Sequence, residues 1–216
     1  NFIEVPTWEN GEWVANTKFA TRDDFRFFVN TCFREPGKYE FDETSLIFNE
    51  QARFYNENKF YCAAPIRSKD FIKYWDDQKE RCRKGVIVKS GKEIWFLARE
   101  YYMWLNFLPI FNKEIQAFGF ADIRDAQYHM ALYEILAELH YKHVAILKKR
   151  QIASSYFHAA KLINQVWFEA GVTLKMGASL KDYINEKGTW KFLNEYAAFL
   201  NEHTAWYRPM SPDKVM

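Results

Sequence analysis

The apolar run Val144-Ala-Ile-Leu147 stands directly before a basic stretch, Lys148-Lys-Arg-Gln-Ile-Ala-Ser-Ser155, which leads into a helical run from Tyr156 to Ala170. In order, these residues predict a buried strand, a short polar loop and a helix start. That succession turns backbone N–H groups and a helix N-terminus toward one spot, which favours a bound anion. The usual phosphate-loop pattern, G-x-x-x-x-G-K-[ST], is broken here. Lys148 and Ala153 take the glycine positions, Ser154 takes the lysine position, and only Ser155, at the magnesium-ligand position, fits outright. From spacing alone the same residues also describe a basic, solvated strand-to-helix loop.

The rest of the second half continues the alternation. Asp122 to His140 predicts a helix with Ile123, Tyr128, Leu132, Ile135, Leu136 and Leu139 as its apolar residues. Gly171 ends the helix after the loop, and Val172-Thr-Leu-Lys-Met176 predicts a second strand. Ser179 with Asp182 caps another helix, and Thr189 to His203 forms a last one with Trp190, Leu193, Ala197 and Leu200 on one face. Strand, helix, strand in this order predicts a parallel sheet with a right-handed crossover.

The first half reads differently. Thr21 followed by Asp24 predicts a helix through about Phe33, ended by Pro36-Gly37. Ser68 opens another, carrying Phe71, Ile72, Trp75 and Cys82 and stopped by Gly85. Both apolar stripes suit a core. Val86-Ile-Val88 and Glu93-Ile-Trp-Phe96 flank Lys89-Ser-Gly-Lys92 as a β-hairpin. Arg99 to Leu108 is helical and aromatic through Tyr101, Tyr102, Trp104 and Phe107. Aromatic and basic residues together can stack nucleic-acid bases, but Arg99 is the only nearby cation, so packing is expected. The polar connector from Asn112 to Gly119 divides an α-rich region with a hairpin near 86–96 (residues 1–111) from the α/β half (residues 112–216).

Composition limits the possibilities for function. With 49% of its residues hydrophobic and 19% aromatic, a chain of 216 residues can bury a sizeable core. Lys and Arg number 30 against 28 Asp and Glu, so no global positive field argues for nucleic acid, and such binding would need a local patch. Cys32, Cys62 and Cys82 are odd in number and far apart, as expected of reduced thiols in a cytosolic setting. Neither Cys-x-x-Cys nor His-Glu-x-x-His spacing occurs, so no zinc site is expected, and the five histidines suit surface or half-buried helix positions. No basic-then-apolar leader and no apolar run of about 18 residues is present, so a soluble protein is expected. The ending Ser211-Pro-Asp-Lys-Val-Met216 adds no closing element, which suggests a partial polypeptide.

Upstream of the loop, Phe120-Ala-Asp-Ile-Arg-Asp-Ala-Gln127 ends about 20 residues before it. With this segment the chain resembles the ATPase domain of the tailed-phage terminase large subunit, a DNA-packaging motor. In that family a segment Leu/Ile-Arg-Asp-x-Gln precedes the phosphate loop, and Ile123-Arg-Asp-Ala-Gln127 matches every defined position. The family's loop is often Arg-Gln-Leu-Gly-Lys-Thr, to which Arg150-Gln-Ile-Ala-Ser-Ser155 is similar. Some members carry the lysine at the loop's start, where Lys148 stands.

The resemblance covers roughly residues 95–180. It implies an α/β fold in which a P-loop NTPase-type parallel sheet half follows an α-rich region with a β-hairpin. It implies Gln127 at adenine, Lys148 or Lys149 on phosphates, and Arg150 as a transition-state arginine. It further implies the backbone of Gln151, Ile152, Ala153 and Ser154 around the phosphates, and Ser155 on Mg²⁺, with ATP as cofactor. Double-stranded DNA, a portal protein, a small terminase subunit and a homo-oligomeric ring would be the partners, in the host cell cytoplasm and transiently on the procapsid. No apolar run ending in Asp-Glu follows the loop; Leu46-Ile-Phe-Asn-Glu50 precedes it and has Asn for the metal-binding Asp. The hydrolytic glutamate and the nuclease carboxylates are therefore expected after Met216, and this chain alone is not expected to be a competent ATPase. Two alternatives stay open: a non-catalytic binding or assembly module with a degenerate loop, and a helicase-like ATPase of another family.

Overall fold

A computed structural model of the chain describes residues 3–9, 12–19, 48–90, 93–112, 116–148, 152–177 and 188–209. Helices and strands are mixed. Strands β1 (Ile3–Glu9) and β2 (Glu12–Phe19) precede helices α1 (Glu50–Asn58) and α2 (Lys69–Lys84). Strands β3 (Val86–Ser90) and β4 (Glu93–Leu97) lead into α3 (Arg99–Phe107) and the short strands β5 (Ile110–Asn112) and β6 (Ala117–Gly119). Helices α4 (Asp125–Leu139), α5 (Ser154–Phe168) and α6 (Thr189–His203) complete the described elements.

Local chemistry accounts for several of these boundaries. The Ser68 hydroxyl accepts a hydrogen bond from the Phe71 N–H at 3.1 Å, which caps α2, and Gly85 closes that helix as the spacing predicts. The expected hairpin forms with β3 and β4 antiparallel, Val86 opposite Leu97 and Ser90 opposite Glu93. It belongs to a four-stranded sheet of order β2-β1-β3-β4, in which β1 runs parallel to β3 through Thr7 opposite Ile87 and Trp8 opposite Val88. The connector between Asn112 and Gly119 is itself a small antiparallel pairing, β5 with β6. The helix expected near Thr21 and the one capped by Ser179 lie outside the described residues.

The parallel sheet expected in the second half is not formed among the described residues. Residues 142–148 and 172–177 have no strand structure, so Val144-Ala-Ile-Leu147 and Val172-Thr-Leu-Lys-Met176 are irregular connections. The physical reason is the lack of a neighbour. An extended apolar run becomes a strand only when another strand takes its N–H and C=O groups, and here the Leu147 side chain is fully exposed with Ile146 also open to solvent.

Helix α3 forms the centre. Eight of its nine residues are buried, and it packs against α1, α2, α4 and α5. Tyr101, Tyr102, Trp104 and Phe107 are all core residues, as expected of a packing helix. Their rings meet neighbours on every side: Trp104 lies 5.6 Å from Phe157 of α5, Phe107 4.8 Å from Tyr61, and Tyr101 6.4 Å from Tyr128 of α4. Rings from either side of residue 112 thus share one cluster. Asn106 is buried inside it and is answered in full, its Oδ1 accepting from the Gln51 N–H and its Nδ2 donating to the carbonyls of Phe48 and Tyr102.

Gly85 joins α2 to β3 with φ +78°, and a Cβ there would lie 2.6 Å from the Leu97 carbonyl oxygen and 2.9 Å from the Phe96 ring. Gly85→Ala should therefore destabilise the fold by at least about 2 kcal/mol, whereas Gly119→Ala should stay within about 0.5 kcal/mol. Gly119 has nothing within 4 Å of the added carbon. Urea unfolding of the two variants checks the contrast.

Candidate functional site

The loop between α4 and α5 places its residues unequally. Lys148 is exposed, Ile152 and Ala153 are half-buried, Ser154 is buried and Ser155 is exposed. Lys149, Arg150 and Gln151 lie outside the described residues. Ala153 sits just before α5 in the left-handed region, φ 54° and ψ 19°, and no side chain caps the helix start. Among the described residues the first N–H groups of α5 thus show no capping side chain, the condition under which a helix start attracts an anion. An alanine in this conformation is strained, by roughly 1–2 kcal/mol.

Gln127 reaches this loop from α4. The segment before that helix is fixed by Tyr101, whose hydroxyl accepts from the Arg124 N–H at 3.1 Å and donates to the Arg124 carbonyl at 3.3 Å. One turn on, Gln127 is 2% exposed, and its Nε2 donates to the Ile152 carbonyl at 2.7 Å. The carbonyl needs a donor, which fixes the orientation of the amide. Its Oε1 is buried without a hydrogen-bond partner among the described residues. The sequence resemblance assigns this side chain to adenine; in the structure its amide nitrogen holds the loop backbone and its oxygen is buried beside it.

The first residue of α5 meets a second group of side chains. The His158 Nδ1 lies 2.7 Å from the Ser154 carbonyl and 3.2 Å from the Ser154 hydroxyl, while its Nε2 lies 3.2 Å from the Glu134 carboxylate of α4. Lys161 Nζ binds Glu134 and Glu138, each at 2.7 Å. The Glu134 hydrogen bond holds the His158 pKa above its ordinary value; burial opposes this and the Ser154 carbonyl adds to it. Burial pushes the Glu134 carboxyl up, but hydrogen bonds from His158 and Lys161 prevail and hold it below the usual carboxylate range. Burial likewise opposes the charge on Lys161, and Glu100, Glu134 and Glu138 more than compensate, so that its pKa lies above the ordinary value.

Serine, histidine and glutamate in a row suggest an activated nucleophile, but the hydrogen bonding argues otherwise. A general base needs a free lone pair facing the hydroxyl. Here Nδ1 lies 2.7 Å from the Ser154 carbonyl, which can only accept, so Nδ1 carries a proton and has no lone pair to offer the hydroxyl. The group is a scaffold for the loop. The i, i+4 spacing of Ser154 and His158 is visible in the sequence; Glu134 and Lys161 join only through the packing of α4 on α5.

Among the described residues no group of three or more His, Cys, Asp or Glu is gathered as for a metal, and Cys62 and Cys82 are free thiols. No helix among the described residues is long and apolar enough to cross a membrane. No family model matches the chain, and neither does any curated protein or solved structure.

The strain at Ala153 is directly measurable. Ala153→Gly removes the Cβ penalty at a left-handed position and adds unfolded-state entropy, the first term being larger. The variant should gain about 0.5–1 kcal/mol in urea unfolding. A loss of stability would mean that the turn is not left-handed in solution.

Proposed function

We propose that the chain is the nucleotide-binding part of a terminase large subunit, the ATPase that drives double-stranded DNA into a viral procapsid. The observation that carries this reading is the meeting of Gln127 with the loop. A glutamine sought from the Ile123-Arg-Asp-Ala-Gln127 segment is buried against the Ile152 carbonyl, its Oε1 unpaired, next to an uncapped helix start. A buried acceptor without a donor and a row of N–H groups without acceptors suit a ligand with an amino-bearing base and phosphates.

In this reading Gln127 Oε1 takes the adenine amino group, and the backbone of Gln151 to Ser154 surrounds the phosphates. Lys148, Lys149 and Arg150 supply cations, with Arg150 the candidate for transition-state charge. The exposed Ser155 hydroxyl is the one protein ligand for Mg²⁺, which commonly takes its other ligands from phosphates and water. When bound, Mg²⁺ would neutralise phosphate charge during attack by water. The reading also sets Val144-Ala-Ile-Leu147 in a parallel sheet of the P-loop type, where strand partners not supplied by the described residues would cover the exposed Leu147. DNA, a portal protein, a small subunit and a ring of copies on the procapsid, in the host cytoplasm, belong to the same proposal.

One observation favours a second reading, a non-catalytic assembly or binding module with a degenerate loop. Ser154, at the usual lysine position, is buried with its hydroxyl beside His158, so no lysine ammonium stands at that position.

Calorimetric titration with ATP and Mg²⁺ separates the two. The packaging reading expects saturable binding that weakens about tenfold in Gln127→Ala, the worth of a good hydrogen bond to a buried group. Equal binding by that variant would remove the adenine assignment, and no binding by the folded parent chain would leave the module reading.

A further inference from the structure

The strongest unabsorbed feature is the link from His158 to the loop. Two hydrogen bonds bracket the left-handed residue: Gln127 Nε2 to the Ile152 carbonyl on one side, and His158 Nδ1 to the Ser154 carbonyl on the other. We propose that His158 is a positioning residue for the loop, its imidazolium tying the Ser154 carbonyl to the Glu134 carboxylate of α4 and so setting the direction of the first N–H groups of α5. The inference rests on the reading of residues 148–155 as a phosphate loop.

The chemistry follows from the ring's two nitrogens. Charged, the imidazole donates Nδ1–H to the Ser154 carbonyl and forms an ion pair with Glu134, whose Oε1 stands 3.2 Å from Nε2. Neutral, it keeps one N–H and must abandon one partner. The groups facing it are Glu134, and beyond it Glu138, from α4, and Lys161 from its own helix. Arg99 and Glu100 of α3 join through Glu138 and Lys161. Helices α2 and α6 touch other positions of α5, through Cys82 with Asn164 and Phe192 with Tyr156.

The sign is fixed by the direction of the shifts. The His158 pKa is raised, so its contribution is full below its unfolded value and is lost as pH rises through the folded one. The Glu134 pKa is lowered, so its contribution is present above its unfolded value and is lost as pH falls through the folded one. The link is intact between those two folded pKa values, and phosphate binding should weaken toward alkaline pH.

Two measurements on the whole chain test this. In the first, NMR follows the His158 ring and the amides of Ile152, Ala153 and Ser154 through a pH titration without nucleotide. The loop amides should shift with the midpoint of the ring, and they should lose that transition in His158→Gln. Loop amides that ignore the ring's titration overturn the proposal, whether or not the chain binds ATP. In the second, calorimetry with ATP and Mg²⁺ across the same range should show affinity falling about threefold to tenfold through that midpoint, the worth of one net hydrogen bond. Glu134→Gln should carry both the ring midpoint and the affinity drop to lower pH, a displacement that a merely structural side chain would not produce. A drop that stays in place when the ring midpoint moves also refutes the role. Absence of ATP binding at every pH would defeat the nucleotide reading while leaving the first measurement to decide on His158.

Discussion

Helix α3 has no broad face turned to water, and every polar group on it must be answered from within. Its least avoidable demand is Glu100, a carboxyl 2% exposed whose pKa burial raises above the ordinary range. A buried carboxylate persists only beside cations. Arg99 Nε approaches it at 3.4 Å and also reaches Glu169 at 2.5 Å. Lys161 acts on it from α5 while gripping Glu134 and Glu138 of α4. The charges that make α3 tolerable in the core therefore fasten α4 and α5 to it, and the loop lies between those two helices.

That arrangement explains how Ile152 to Ser154, without a glycine, can be held in one conformation. Its carbonyl at Ile152 is taken by Gln127, which is fixed by α4, and its carbonyl at Ser154 is taken by His158, which is fixed to α4 through Glu134. A glycine-rich loop reaches a left-handed turn through backbone freedom; here the turn at Ala153 is imposed by hydrogen bonds from both sides. Preorganisation of this kind lowers the ordering cost that a ligand would otherwise meet.

The elements that could be read from sequence are those specified by neighbours in the chain. Ser68 and Gly85 bound α2, the runs beginning at Val86 and Glu93 pair as β3 and β4, and the aromatic content of Arg99 to Leu108 gives a packing helix. Strands β1 and β2 pair with each other locally, up to Glu9 opposite Glu12 on either side of Asn10-Gly11, a dipeptide that favours a hairpin and that the expectations above leave unused; only the joining of β1 to β3, as Thr7 opposite Ile87 shows, depends on residues some eighty positions away. Val144-Ala-Ile-Leu147 misleads for the converse reason: its pattern suits a buried strand, yet pattern alone supplies no partner, and Leu147 stays in solvent. At the site, the position of Gln127 near the loop followed from motif spacing. Its use as a donor to the Ile152 carbonyl, and the roles of Glu134 and Lys161, required the packing of α4 on α5.

Departures from local rules occur in several parts of the fold, with left-handed residues also at Lys59, Arg67, Gln116 and Tyr141 and buried polar atoms without a partner among the described residues also at Asn49 and Trp75, but beside the loop one of each kind meets. A buried amide oxygen without a donor costs about 1–3 kcal/mol, and a left-handed alanine about 1–2 kcal/mol. Gln127 and Ala153 carry these costs within one turn of an uncapped helix start. Asn106 and Asn164 find partners in the core, whereas Asn49 Oδ1 shares with Gln127 Oε1 the lack of a partner among the described residues. Such local violations persist where surrounding structure over-determines them, and they concentrate where a chain meets a ligand. On that ground the region around Gln127, Ala153 and Ser155, more than the aromatic core or the exposed ends of the helices, is where this molecule's chemistry should be sought.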